Sequence, residues 1–303
     1  MKFTKKMKKL FIASLVLVII AIILCVAGAL TSKGRENPLF SQSQNDMGQY
    51  IFTYEFDTSS VKKISLELSY ADVKVYKSSG AAMIEMINYP IDNFSMTVSA
   101  TTVSIEEKSA IGNFLSFDFD GFRNYFNSLK MAAKRRSVNI YIPDTSALKL
   151  FDIDVYSGDV LFEELSVDAD YNIELDYGDV RFKNCSSAGE LSAKIFEGNL
   201  IIDASELYSV SAELKKGYAE IKASVVTKID ADVEKGYFKQ SEAGKGLASS
   251  VVRLNAEKGR VRFCGDIYEN GSFSQGMEYS GTSGVVQTII NVDVSEGNIM
   301  ITE

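Results

Sequence analysis

From about residue 150 onward, apolar and polar side chains alternate, and the alternation changes phase at regularly spaced glycines. Counted from Gly178, apolar residues fall at −5 (Ile173), −3 (Leu175), +2 (Val180) and +4 (Phe182). The same offsets hold Ile153, Val155, Val160 and Phe162 around Gly158, and Ala193, Ile195, Leu200 and Ile202 around Gly198. They recur around Gly217, Gly236, Gly259 and Gly297, with Gln240 as the one polar exception. Within a strand, alternate residues share a face, so a switch from odd to even offsets requires a bend at the glycine if both flanks are to reach one core. Glycine makes such a bend cheaply because it has no Cβ to clash at positive φ.

Successive glycines from Gly158 are 20, 20, 19, 19, 23 and 38 residues apart, the last interval being twice 19. This is a structural repeat, with one unit irregular or looped out in the Gly- and Ser-rich stretch 265–284. It predicts an all-β fold, a β-solenoid of 19–20-residue two-strand coils stacked along the hydrogen-bonding direction. An antiparallel meander is the competing reading, since alternating strands at 8–12-residue spacing also build sandwiches and barrels. Upstream, Ala71 takes the central place among Leu66, Leu68, Val73 and Val75, and Thr101 does so among Met96, Val98, Val103 and Ile105. The repeat loosens over residues 106–136 and 264–285.

Ahead of this body, Leu10–Leu30 runs 21 residues without a charge, which as a helix spans roughly 31 Å, close to the hydrocarbon thickness of a bilayer. Five lysines lie in residues 1–9, so the positive-inside rule predicts a single-pass anchor with a cytoplasmic N-terminus and an extracytoplasmic body. A cleaved signal peptide is the alternative, given the small residues Ala27, Gly28 and Ala29. Leu24 stands before Cys25 where a lipoprotein would need a small residue, so Cys25 reads as a lipid-facing or packed cysteine. Residues 31–48 are polar and read as a linker, which leaves 49–303 for the solenoid.

Composition narrows the function. Without the five N-terminal lysines the 32 basic residues fall to 27 against 40 acidic ones, a net of −13, which disfavours nucleic-acid phosphates as partners. The chain has no His, which removes the commonest general base, the Ser-His and Cys-His pairs and the usual catalytic zinc ligands. No cofactor is indicated. Cys185 and Cys264 are about four coils apart, roughly 19 Å at the strand spacing, too far for a disulfide.

Residues 137–184 carry an alternating strand ending in Ile142-Pro143, then Leu150, then Gly-Asp-Val corners at Gly158 and Gly178. In this ordered series the chain resembles the DUF4097 family, whose members carry the label adhesin. The resemblance covers residues 50–303. It implies a bacterial, often membrane-tethered β-solenoid ectodomain and no catalytic residues.

Four features could carry chemistry. Asp159, Asp179 and Asn199 follow corner glycines and could offer oxygens to calcium, but the calcium-binding nonapeptide is absent, and solvated turn residues are the simpler reading. Lys216, Lys235 and Lys258 each precede a corner glycine in consecutive coils, with Tyr218 and Tyr237 just past the bend. Stacked, they would form a row suited to an anionic envelope polymer, although Glu197 and Glu296 occupy the same offset elsewhere and lysines are ordinary corner residues.

Residues 121–136, GFRNYFNSLKMAAKRR, have helical spacing at Phe122, Tyr125, Phe126, Leu129 and Ala133 and end in basic residues. This segment reads as a helix capping or covering the solenoid, or as one touching anionic lipid. Outward acids Asp154, Glu174, Glu213 and Asp232 could serve glycoside hydrolysis, which needs two carboxylates, but Lys194 interrupts their column. The expectation is therefore a membrane-anchored, extracytoplasmic binding, adhesin-like or scaffolding module. Its alternatives are a carbohydrate-active enzyme and a regulatory subunit of a membrane complex.

Overall fold

The computed structural model describes residues 41–44, 50–89, 94–107, 135–241, 251–264, 266–269, 277–278 and 289–302. The apolar run 10–30 and residues 121–134 of the expected helix lie outside them. Among the described residues the regular structure is entirely β, with no helix.

The strands form a curled, solenoid-like stack of nine layers in parallel register. Ser186–Asp203 pairs in parallel with Glu206–Lys222, and that strand with Val225–Ser241, so the repeats set glycine against glycine, Gly198 on Gly217 on Gly236. On the other side, the first half of the Ser186–Asp203 layer pairs with Asp170–Tyr177 and its second half with Val180–Lys183. Those strands stack in turn on Leu150–Ser157 and Val160–Glu163, and these on Lys63–Tyr70 and Asp72–Ser78. Eight intervals at the strand spacing give a core about 38 Å long.

The order of layers is not the order of the chain. The layer around Gly297, Ile289–Ile301, is inserted between Val225–Ser241 on one side and Val251–Lys258 with Arg260–Phe263 on the other. Gly236 and Gly259 are thus not neighbours, and the simple succession expected from the spacing is corrected: the long 38-residue interval is a return of the chain into the stack. The opposite end mirrors this. Lys63–Tyr70 and Asp72–Ser78 are covered by a later layer made of Thr102–Glu107 and Ser137–Pro143. Both the first and the last coil along the chain are therefore second from an end of the stack, held by parallel ladders on two sides.

Antiparallel strands close the exposed edges. Phe94–Val98 pairs with Thr102–Glu107, so Thr101 lies in a hairpin turn and does not take the corner its offsets suggested. Ala82–Ile87 covers Ser137–Pro143, Tyr50–Phe56 covers Ala82–Ile87, and Ser41–Gln44, inside the expected linker, pairs with Tyr50–Thr53. At the far end Asp266–Glu269 pairs with Arg260–Phe263 and Met277–Glu278 with Val251–Val252, within the stretch expected to be irregular. Pairing an edge in this way removes a template for aggregation.

At the corners, Gly178 and Gly217 have φ of +136° and +141°, where a Cβ is strained. A second constraint comes from stacking. A Cβ on Gly178 would lie 2.0 Å from the Gly158 carbonyl oxygen, and one on Gly217 would lie 1.7 Å from that of Gly198. Each corner thus packs its missing side chain against the backbone of the layer before it. Ala71 takes the corner of its layer without a glycine; among the described residues the layer before it consists of Thr102–Glu107 and Ser137–Pro143, and no corner residue of that layer is described.

A second corner has no glycine. Glu164, Asn184, Ala204, Ala223 and Cys264, each in a different layer, adopt φ of 45° to 56° after the second strand of the coil. Each donates its backbone N–H to the neighbouring layer, for example Asn184 to Asp203 at 3.1 Å and Ala204 to Lys222 at 3.0 Å. The coil therefore has a short third side, and the two-strand unit read from the sequence is incomplete. Behind this corner a hydroxyl column forms: Ser205 Oγ accepts the Cys185 N–H at 3.1 Å and Ser224 Oγ accepts the Ser205 N–H at 3.0 Å. Each hydroxyl donates to a carbonyl two residues earlier.

The core is a filled, apolar interior. Phe151, Phe162, Tyr171 and Phe182 interlock in the layers around Gly158 and Gly178, Phe162 stacking on Phe182 at 4.6 Å and meeting Tyr171 edge-on at 5.0 Å. Farther along the stack the same interior is lined by smaller residues such as Ala193, Ala212 and Ala231. Gln240, the polar exception, is buried like the apolar residues of its column, so the parity survives the change of chemistry. Cys185 is buried, Cys264 is exposed, and neither forms a disulfide.

Candidate functional site

The residues just after the corners are structural acceptors. Asp72 Oδ1 accepts the Asp159 N–H, Asp159 Oδ1 that of Asp179, and Asp179 Oδ1 that of Asn199, all at 3.1 Å, while Asn199 Oδ1 accepts the Tyr218 N–H at 3.2 Å. The oxygens expected to be solvated turn groups thus satisfy amides that the bend turns away from the strand ladder. Arg135 pairs with Asp72 and, at 3.3 Å, with Asp159. Next to it, Arg136 and Glu107 form an ion pair with side chains only 10% and 7% exposed. Glu107 also accepts the Ser69 N–H at 2.8 Å, and Arg136 lies 5.6 Å from the Tyr89 ring centroid. Among the described residues no group of three or more Asp, Glu or Cys side chains is placed to hold a metal ion.

The lysines before the corners do not form one row. Lys216 and Lys235 are register partners, but Glu296 stands between Lys235 and Lys258, because the last coil is inserted there. The column reads Glu197, Lys216, Lys235, Glu296, Lys258, with ion pairs of 3.6 Å for Lys216–Glu197, 3.6 Å for Lys235–Glu296 and 3.1 Å for Lys258–Glu296. The two lysines flanking Glu296 hold its carboxyl below the usual range, Lys258 most strongly through its hydrogen bond. Tyr218 and Tyr237 stack face to face at 4.7 Å. Each lysine of this edge is paired with a glutamate, which leaves little surplus positive charge to offer a polyanion.

The outward acids lie where the strand pattern put them. Glu67, Asp154, Glu174, Lys194, Glu213, Asp232 and Asp293 occupy one column on successive layers. Partial burial, then Glu174, Glu67 and Asp176, push the Asp154 carboxyl up, and burial followed by Asp293 and Glu213 does the same to Asp232. Lys194 reaches Glu174 at 3.9 Å. The face is open, with a shallow depression beside Lys194, Phe196 and Glu213.

Beside the acids runs a feature the sequence reading missed. Tyr70, Tyr156, Tyr177 and Phe196 are 59%, 46%, 41% and 39% exposed, and they touch in series across four layers. Ring centroids are 5.6 Å apart for Tyr70–Tyr156, 5.5 Å for Tyr156–Tyr177 and 6.1 Å for Tyr177–Phe196. Lys215 completes the line, its ammonium 4.8 Å from the Phe196 centroid. The rings sit alternately one and two residues before the corner, so no single offset of the repeat contains them all. A search for aromatics within two residues of every corner would have found them.

The model of the family described as Toastrack DUF4097 matches residues 61–302. None of the curated proteins matches the chain. Among solved structures, a "putative cell adhesion protein" from Clostridium sporogenes is 12% identical, with 83% of this chain and 98% of that one covered at a TM-score of 0.38. A "putative adhesin" from Bacteroides fragilis is 13% identical, covering 86% and 99% at a TM-score of 0.37. A "putative lipid binding protein" from Parabacteroides distasonis is 12% identical, covering 84% and 97% at a TM-score of 0.33.

Proposed function

The chain belongs to the Toastrack DUF4097 family, and from that premise we propose that it is a binding module of the bacterial envelope, held outside the cytoplasmic membrane by its N-terminal apolar segment. The observation that supports binding is the exposed aromatic stripe from Tyr70 to Phe196. Apolar surface left in water forgoes about 25 cal/mol per Å², and contiguous apolar patches on a protein surface are commonly contact sites. The support for anchoring is the 21-residue uncharged run behind five lysines.

A non-catalytic role fits the geometry better than hydrolysis. The carboxylates Asp154, Glu174, Glu213 and Asp232 stand on an open sheet face, whereas acid–base chemistry on a glycosidic bond is favoured by a site that excludes water. The lysine column is paired with glutamates, so the stripe is the better candidate surface.

A photo-crosslinking residue at position 156 in intact cells tests this reading, with position 208, an exposed tyrosine well away from the corner, as the control. A discrete adduct from 156 and none from 208 is expected, together with digestion of the body by protease added to unlysed cells. A body protected until lysis, or identical crosslinking from both positions, would overturn it.

A further inference from the structure

The stripe shares its face with the column of acids. Glu67 lies in register with Asp154, and Asp154 with Glu174. Among the described residues none forms an ion pair with Glu67, Asp154 or Asp176. Like charges directly opposite on neighbouring strands are destabilising. In two other columns opposite charges meet directly, Lys183 on Glu163 and Lys239 on Glu220, both at 2.6 Å. Glu67 and Asp154 thus oppose each other with no ion pair among the described residues, which makes this end of the column a negative surface beside exposed rings.

Ring geometry distinguishes the classes of ligand. Successive rings are inclined at 76°, 70° and 63°, so they give no common plane on which a flat sugar ribbon could lie. Each contact is edge-to-face, the positive edge of one ring set on the negative face of the next, and the exposed remainder of such rings is surface that an ammonium or guanidinium group can approach. The stripe already receives one from its own chain, where Lys215 lies over Phe196. Tyr70, Tyr156 and Tyr177 have no cation over them among the described residues.

We propose that the face from Tyr70 to Phe196 docks an extended segment of a partner polypeptide rich in lysine or arginine. Its cationic groups lodge over Tyr70, Tyr156 and Tyr177, while Glu67, Asp154 and Glu174 neutralise them. The acid column continues past Lys194 through Glu213, Asp232 and Asp293, giving a longer segment a track along the stack. The net negative body steers such a partner toward this face. The inference rests on the stripe being the binding surface.

The test is fluorescence anisotropy of a labelled oligolysine peptide with the full chain in detergent micelles. Binding is expected, and Tyr156→Ser with Tyr177→Ser should weaken it by about tenfold, as should Asp154→Asn with Glu174→Gln. Tyr208→Ser should leave it unchanged. Absence of binding, or binding indifferent to the tyrosine pair, which would mean diffuse charge attraction only, would overturn the proposal. If the tyrosine pair instead abolishes binding of a neutral envelope glycan while the carboxylate pair does not, the cationic class fails and the binding surface stands. If neither oligolysine nor any glycan responds to the tyrosine pair, both readings fail.

Discussion

Gly178→Ala should destabilise the protein far more than an ordinary glycine-to-alanine change. Gly178 has φ of +136°, and its added Cβ would lie 2.0 Å from the Gly158 oxygen and 2.8 Å from the Gly158 carbonyl carbon, backbone atoms that no rotamer change can move. Relief requires the two layers to part by roughly an ångström, since a Cβ contact much under 3.0 Å is not sustained. Parting strains the Gly158 N–H to Tyr177 bond at 2.9 Å, the Asp179 N–H to Asp159 bond at 3.1 Å and the Phe162–Phe182 stack at 4.6 Å. Strained φ accounts for about 1–3 kcal/mol and forced overlap for about 1–3 more, so a loss of about 2–6 kcal/mol is expected. For a domain of this size that is a fall in Tm of roughly 10 °C. The assay is urea unfolding followed by circular dichroism, since the chain has no Trp, with Gly80→Ala as the control because a Cβ there meets nothing within 4 Å. A Gly178→Ala midpoint indistinguishable from that of Gly80→Ala would refute the stacked-corner reasoning.

Three further outcomes are expected. Ser205→Ala removes the acceptor of the buried Cys185 N–H and should cost about 1–3 kcal/mol in the same unfolding assay. Arg136→Met leaves Glu107 buried without its cation and should cost about 3–5 kcal/mol, while the double change with Glu107→Gln should recover part of that loss. Asp154→Asn should be mildly stabilising at pH 7, by some tenths of a kcal/mol given its exposure. The sign follows from its raised carboxyl: a charge that is harder to hold in the fold opposes folding above its folded pKa, and the opposition vanishes once the group is protonated in both states. Unfolding midpoints of wild type and Asp154→Asn should therefore converge as pH falls below about 3.9, and a gap that widens on acidification would contradict the assignment.

The glycine corners were legible because the signal is local: the phase change across Gly178 is written in the ten consecutive residues from Ile173 to Phe182 and forces a bend whatever lies above or below it. The second corner was not, because Glu164, Asn184, Ala204, Ala223 and Cys264 share a backbone conformation and no side-chain type. The aromatic stripe escaped because Tyr70 and Tyr177 sit one residue before the corner and Tyr156 and Phe196 two. The lysine row was misread for a different reason, since Lys235 and Lys258 are adjacent as repeats but separated in space by Glu296.

The sequence by itself determined the repeat, its strand faces and the glycines that turn it, because these follow from side-chain parity and steric freedom within one coil. Only the tertiary structure decided which coil lies on which. Every layer offers its neighbours the same row of backbone donors and acceptors, so the period says nothing about stacking order. That the last coil enters between the Gly236 and Gly259 layers, and that the late layer of Thr102–Glu107 and Ser137–Pro143 covers the first, is set by contacts between residues tens of positions apart. The columns of charge and of aromatic rings on the surface exist only once that order is settled.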